Sequence, residues 1–581
     1  MTAALGPCEL TTDPLRHGMI ETTPPVRFDN VQEPLLDLEK AISLANQFFL
    51  VASGIIDLFD RSWLIDILPT WIEDPLRKEQ LKSPIIYLAL AIGAQGRAQD
   101  EADEIVAEKC FGYGRQLAML TLMDDPSLLT VQAYTLVTYY MVAACRRNAA
   151  FTNLGVAARA AYALGIHRHE TNVSFVPEEG ISRERAWKTL RVCDLFLSAS
   201  MGRPPATSDA DCNIPWASLD PVADGESSTV SSQVYSAIFR ICHIFERILT
   251  EVYSRRSVSL ELAGSISRQH REWTEKLPRM LKVDGLDEPN AARVSGVSHR
   301  LGSGIVIMAY YYSIILLSRP FLTFKVCRYP KNATHGDKVS SSSADLITYA
   351  DACVDSAIKG INVAHEIVFE EGVPRRQPVV INSVFISTLC LGLAYLDDYD
   401  RRGWPLGRSL ERGIAILRHF GRLNPQSARY AEICQLLEAA AAKYIDKRNN
   451  MFLRSSSQQV RSVFGDVRDS TGPQPSVPGG SQSSPVQSLP NPNTLLYPLT
   501  EPMSPSSFDG SIIHPESMIT TSGLLTGQLI SDHGYHYQDD SESSALPFDF
   551  FNTSDNLSLS SWSDPLFFMT NDVTLGAYNW Q

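Results

Sequence analysis

A chain of 581 residues that is 44% hydrophobic and 20% charged can bury a large core, which excludes a wholly disordered protein. The formal net charge of −14 is unevenly placed, because Asp469 and eleven further acids, with no lysine or arginine among them, follow Arg468 and carry −12 of it. The 53 acids and 51 bases of the remainder nearly cancel and leave no basic stripe of the kind that neutralises nucleic-acid phosphates.

Taken in chain order, residues 1–33 are rich in Thr and Pro, lack periodicity and read as a flexible arm. Their opening, MTAALGPCELTTDPLRHGMIETTPP, has no basic, apolar and small-residue succession, so no secretory signal is expected. From 34 to 452, apolar residues recur three and four apart over helical lengths. Examples are EPLLDLEKAISLANQFFLVASGIIDLF, PIIYLALAIGAQGRA, LLTVQAYTLVTYYMVAACRR and HRLGSGIVIMAYYYSIILLSRPFL. Strand signals are sparse. The expected class is all-α: a large helical array with a disordered N-terminal arm and a disordered acidic C-terminal tail. The longest apolar stretch, VVINSVFISTLCLGLAYL, ends at Leu396 and is interrupted by Asn382, Ser383, Ser387 and Thr388, so it reads as a buried helix and not a membrane span.

Within this helical text, LFLSASMGRPPATSDADCNIP (Leu195 to Pro215) is a break. Proline fixes φ and removes a donor, so a helix beginning near Arg183 should stop near Gly202. Arg203 and Pro204 would end it, and Asp209 and Asp211 would cap or pair with neighbouring arginines. The rival reading is a ligand-sensing or partner-binding edge. The run offers no nucleophile and no acid/base set, which favours a structural corner. His167 and His169 stand two apart at a helix end, where imidazolium would favour the last carbonyls, and neither has a nearby metal-ligand motif in sequence. The ten cysteines are never closer than Cys193 and Cys212, nineteen apart, and read as reduced core thiols of an intracellular protein.

Residues 453–495 are Ser-, Pro- and Gln-rich and cannot bury enough apolar surface to offset their ordering entropy, so they read as a linker. Residues 496–581 interleave acids with Phe548, Phe550, Phe551, Trp562, Phe567, Phe568 and Trp580, the composition of an activation segment that folds on a partner.

LGVAARAAYALGIHRHE, followed by SRERAWKTLRVCDLFLSASMGRPPATSDADCNIP, resembles the middle homology region of fungal zinc-cluster transcription factors, the fungal-specific transcription factor domain. Leu164, Gly165, His167 and Arg168 match the first part of that pattern. Arg185, Trp187, Asp194, Gly202, Arg203, Pro204, Asp209, Asp211 and Pro215 match the rest. The resemblance extends from about Leu36 to Tyr444, through YLALAIGAQG, VQAYTLVTYY, Trp273 with Leu277-Pro278, and Arg319-Pro320. Lys188 stands where the family has a second tryptophan, and Leu195 where it has an arginine.

The larger departure is at the N-terminus. Only Cys8 precedes Cys110, so the six-cysteine zinc cluster that reads DNA is expected to be absent from this chain, and zinc is expected only where such a cluster exists. The resemblance implies a nuclear regulator of RNA polymerase II transcription that is not an enzyme and has no catalytic, cofactor or metal residues here. Its implied partners are the transcription machinery or a coactivator through the acidic tail, and homo- or heterodimers with family members. DNA would be reached only indirectly, and no membrane is implied. Two alternatives stand beside it: a non-DNA-binding cofactor or repressor that pairs with intact family members, and a helical enzyme, which would need carboxylates or a metal set converging in one pocket.

Overall fold

A computed structural model describes residues 32–98, 101–215, 230–282, 297–328, 341–397, 399 and 401–465, together with the backbone of 556–558. The described chain is almost entirely helical. In order come α1 (Leu38–Val51), α2 (Arg61–Glu73), α3 (Ser83–Arg97), α4 (Glu101–Thr121), α5 (Leu128–Ala143), α6 (Arg147–Ala163), α7 (His169–Asn172) and α8 (Pro177–Met201). They are followed by α9 (Val230–Arg247), a π-helical turn (Ile248–Tyr253), β1 (Ser257–Ser259), α10 (Leu260–Lys276), α11 (Val297–Arg328), α12 (Ser341–Val368), α13 (Pro378–Ala394), α14 (Leu406–Gly421), α15 (Pro425–Phe464) and β2 (Asn556–Ser558). The strands are three residues each and pair antiparallel, Val258 opposite Leu557.

The chain divides into one unit of residues 1–457 and 554–581 and a second of 458–553. In the first, the helices with no polar face lie innermost. Ser83–Gly96 of α3 is buried without interruption, as are Thr130–Met141 of α5 and nearly all of α13. A helix that is apolar all round must be surrounded by other helices, and these are. α3 packs against α1, α4 and α5; α13 packs against α11, α12 and α14. The apolar stretch ending at Leu396 thus forms a 17-residue core helix. Among the described residues one helix, α11, is long and apolar enough by composition to cross a membrane, and 83% of its most apolar window is buried among its neighbours.

Two boundaries differ from the sequence expectation. α8 begins at Pro177 and not near Arg183, because Pro177 is preorganised for a first helical turn and Glu178 and Glu179 favour the helix N-terminus. α15 runs past residue 452 to Phe464, since no glycine or proline interrupts the chain after Pro425 until Gly465, whose φ of 75° stops it. The eight described cysteines are free thiols, six of them buried.

Candidate functional site

The corner after α8 gathers most of the residues singled out in sequence. α8 ends as its composition dictates: Gly202 adopts φ 66°, a left-handed conformation open to glycine, and its N–H donates to Ser198 O. The stripe Trp187, Leu190, Cys193 and Leu197 faces the core, at most 7% exposed. Trp187 is fully buried, donates its indole N–H to Cys212 Sγ at 3.1 Å, and packs edge-on against Tyr162 with ring centroids 5.5 Å apart.

The turn itself is held by Asp194, about two helical turns inside α8 and fully buried. Its carboxylate accepts from Thr207 N–H at 2.7 Å, Thr207 Oγ1 at 2.6 Å and Ala206 N–H at 3.1 Å, and so ties the returning backbone to the helix it has just left. Burial pushes this carboxyl upward, and the hydrogen bonds from Thr207 and Ala206 oppose that rise. Of Asp209 and Asp211, expected from the sequence to cap or pair with neighbouring arginines, Asp209 does pair with one. Asp211 is exposed and forms no ion pair among the described residues, because the loop turns it to solvent. Asp209 pairs with Arg191 at 3.6 Å and with His243 at 3.2 Å. Arg203 lacks the expected carboxylate. Its partners among the described residues come from α6: it donates to Asn148 Oδ1 at 2.6 Å and stacks on Phe151. Pro204 and Pro215 are exposed.

Upstream, Gly165 at φ 66° turns the chain after α6, and Leu164 O accepts from Arg183 Nη2 at 2.7 Å. His167 does not act as a charged cap. Its ring packs 4.9 Å from Tyr162 and 5.7 Å from Trp187, and burial with the nearby Arg168 pushes its pKa down, toward neutral imidazole. His169 starts α7 rather than ending α6, and its Nδ1 sits 3.3 Å from Glu184 Oε1, so its partner is a carboxylate and not a terminal carbonyl. Arg168 is exposed. Arg185 spans to Asp57 and Asp60, fastening α8 to the segment between α1 and α2.

Sequence reasoning missed the buried centre of this region. Arg191 on α8 has no solvent exposure and pairs with Glu246 on α9, while Glu246 Oε1 accepts from Asp209 N–H at 2.7 Å. Asp209, His243 and Glu246 bring their ligand atoms within 4.8 Å of one another, a spacing that would suit a metal ion. The guanidinium of Arg191 already reaches both acids, so the arrangement neutralises a buried cation and closes the loop onto α9. Lys188, in place of the family's second tryptophan, is 7% exposed, with its ammonium over the Phe239 ring and 3.7 Å from Glu184, so one residue replaces an aromatic plate by an aliphatic stem with a paired head. Arg183, Arg191, Thr207 and Glu246 are single polar residues on helical or loop text, and no local motif marks them. Phe548, Phe550, Phe551, Trp562, Phe567, Phe568 and Trp580 lie outside the described residues.

Residues 45–283 match the family model described as the fungal specific transcription factor domain. The chain is 24% identical over 363 residues to filamentous growth regulator 27 of Candida albicans, an alignment covering 60% of this chain and 46% of that protein. It is 25% identical over 321 residues to the transcriptional activator protein acu-15 of Neurospora crassa, covering 52% and 33%. Against activator of stress genes 1 of Saccharomyces cerevisiae it is 25% identical over 262 residues, covering 42% and 26%. The chain thus spans less than half the length of each of these relatives. The matched span runs from within α1 to just beyond α10 and contains every described residue of the corner, so this part of the chain is similar to the fungal specific transcription factor domain.

Proposed function

We propose that this protein regulates RNA polymerase II transcription in the nucleus, with residues 34–452 as a helical regulatory domain and residues 496–581 as an acidic activating segment. The observation that carries the reading is the match of residues 45–283 to the family domain, beside the similarity of the chain to fungal proteins named as regulators and activators. The corner supports it: Asp194, Arg185, Arg191 and Trp187 spend their polar atoms on one another's elements, as a frame does, and they converge on no reacting atom. The tail supports it by composition, because acids keep its aromatics solvated and available to a partner's groove. Contact with DNA, in this reading, comes through a zinc cluster elsewhere or through a family member bound as a dimer.

The test is to tether the whole chain to an unrelated DNA-binding domain upstream of a reporter in a fungal host. Activation is the expected result. Repression of an already active reporter would instead favour the cofactor reading, and an inert fusion that reaches the nucleus would overturn the regulator reading.

A further inference from the structure

α15 leaves the core before it ends. Ala441 is its last buried residue, Arg448 still donates to Asp397 O at 2.7 Å, and Phe452 lies beneath Arg401. From Leu453 onward every residue of the helix except Ser456 is exposed. Leu453, Val460 and Phe464 are 59%, 55% and 83% exposed, and their spacing of seven and four residues puts them on one stripe. Val463, 71% exposed, widens it. One position further round the helix, Lys447, Arg454 and Arg461 repeat every seven residues and form a basic flank, with Lys443 in line. With Arg448 and the single acid Asp446, residues 443–464 carry a net charge of +4.

An apolar stripe of this kind, rimmed by charge, is a docking surface, and the rim selects its occupant. A second copy of the helix would set +4 against +4. The acids of this chain lie elsewhere: residues 536–551, HYQDDSESSALPFDFF, carry Asp539, Asp540, Glu542 and Asp549 without a lysine or arginine, beside Tyr537, Phe548, Phe550 and Phe551. Their charge of −4 mirrors that of the helix. We propose that the exposed C-terminal half of α15 is the docking surface for residues 536–551 of the same chain, with the phenylalanines on the Leu453, Val460 and Phe464 stripe and the acids along the basic flank. Seventy residues, 466–535, connect the two, a chain length ample to return to a helix face about 17 Å in length. Because both partners lie on one chain, the contact is intramolecular and needs less intrinsic affinity than the same contact between two chains. The inference needs no transcriptional role for the tail.

The test uses the full chain with a photo-reactive benzophenone residue in place of Val460, whose exposure leaves the fold undisturbed. Irradiation of a mixture of isotopically light and heavy chains, followed by peptide mass spectrometry, should give cross-links from residue 460 to 536–551 within single chains. The variant Asp539→Asn, Asp540→Asn, Glu542→Gln and Asp549→Asn should lose most of that cross-link, and high salt should mimic it. Mixed light–heavy cross-links between two α15 helices would assign the surface to a second copy and overturn the proposal. Cross-links spread evenly along the tail, or unchanged in the neutralised variant, would also overturn it.

Discussion

Arg191 on α8 and Glu246 on α9, 55 residues apart in sequence, form an ion pair in which the guanidinium is shut off from solvent. Removing a cation from water costs several kcal/mol, and the acids of Glu246 and Asp209 offset that cost here. Glu246→Ala should therefore destabilise the domain by about 3 to 5 kcal/mol, because Arg191 stays buried with less of its compensation. Pairing it with Arg191→Met should recover much of the loss. Denaturant unfolding of the two single variants and the double variant measures this, and a double variant whose loss equals the sum of the singles would show that packing, not charge, holds α8 to α9.

Trp187 and Arg203 lie on the same corner and should behave differently. Trp187→Ala empties a fully buried site and should cost about 3 to 5 kcal/mol, with a matching loss of soluble protein. Arg203 is half-buried, bonded to the neutral Asn148, so Arg203→Ala should cost about 1 kcal/mol. Thermal melts decide it. Wild-type melting of both variants would make the Gly-Arg-Pro motif a recognition surface.

His270 on α10 gives the domain an acid-sensitive element. Its Nε2 lies 2.8 Å from Ser313 Oγ on α11 and its Nδ1 3.1 Å from Ile266 O, and burial pushes its pKa down to about 4. The folded value lies below the unfolded one of about 6.5, so the unfolded chain binds the extra proton between those limits and stability falls as pH falls. The loss is absent above the unfolded value, complete below about pH 4, and amounts to about 3 kcal/mol. His270→Gln should flatten the pH dependence of the denaturation midpoint between about pH 6.5 and 4 relative to the wild type. Parallel curves would place the proton elsewhere.

The corner shows which links a sequence carries on its face. Gly202 before Arg-Pro-Pro, and the stripe from Trp187 to Leu197, are local signals of chain stiffness and period, and the end of α8 and its buried face follow from them. The choice of Asp194 over Asp209 and Asp211 as the acceptor is not local. It depends on where the loop returns, and a carboxylate inside a helix reads as exposed until a second segment covers it. The Arg191–Glu246 pair is hidden for the same reason, and so is the lowered pKa of His167, whose largest cause is burial. The far end of α15 was missed differently. Its serines and glutamines resemble linker composition, yet without glycine or proline a helix already nucleated by the packed turns from Pro425 onward continues through them.

The tail gives the last prediction. Residues 496–581 hold eleven acids and no lysine or arginine, with aromatics grouped at Phe548, Phe550, Phe551, Trp562, Phe567, Phe568 and Trp580. If acids serve only to keep the chain open while the aromatics supply the apolar contacts, charge alone is insufficient. Fused to an unrelated DNA-binding domain, the segment should switch on a reporter, and alanine at those seven positions should abolish the signal at unchanged net charge. An alanine version that activates as well as the original would refute the aromatic mechanism. If neither version activates although both are expressed, the tail is a solubilising extension, and a repressor or titrating partner becomes the better reading of the helical domain.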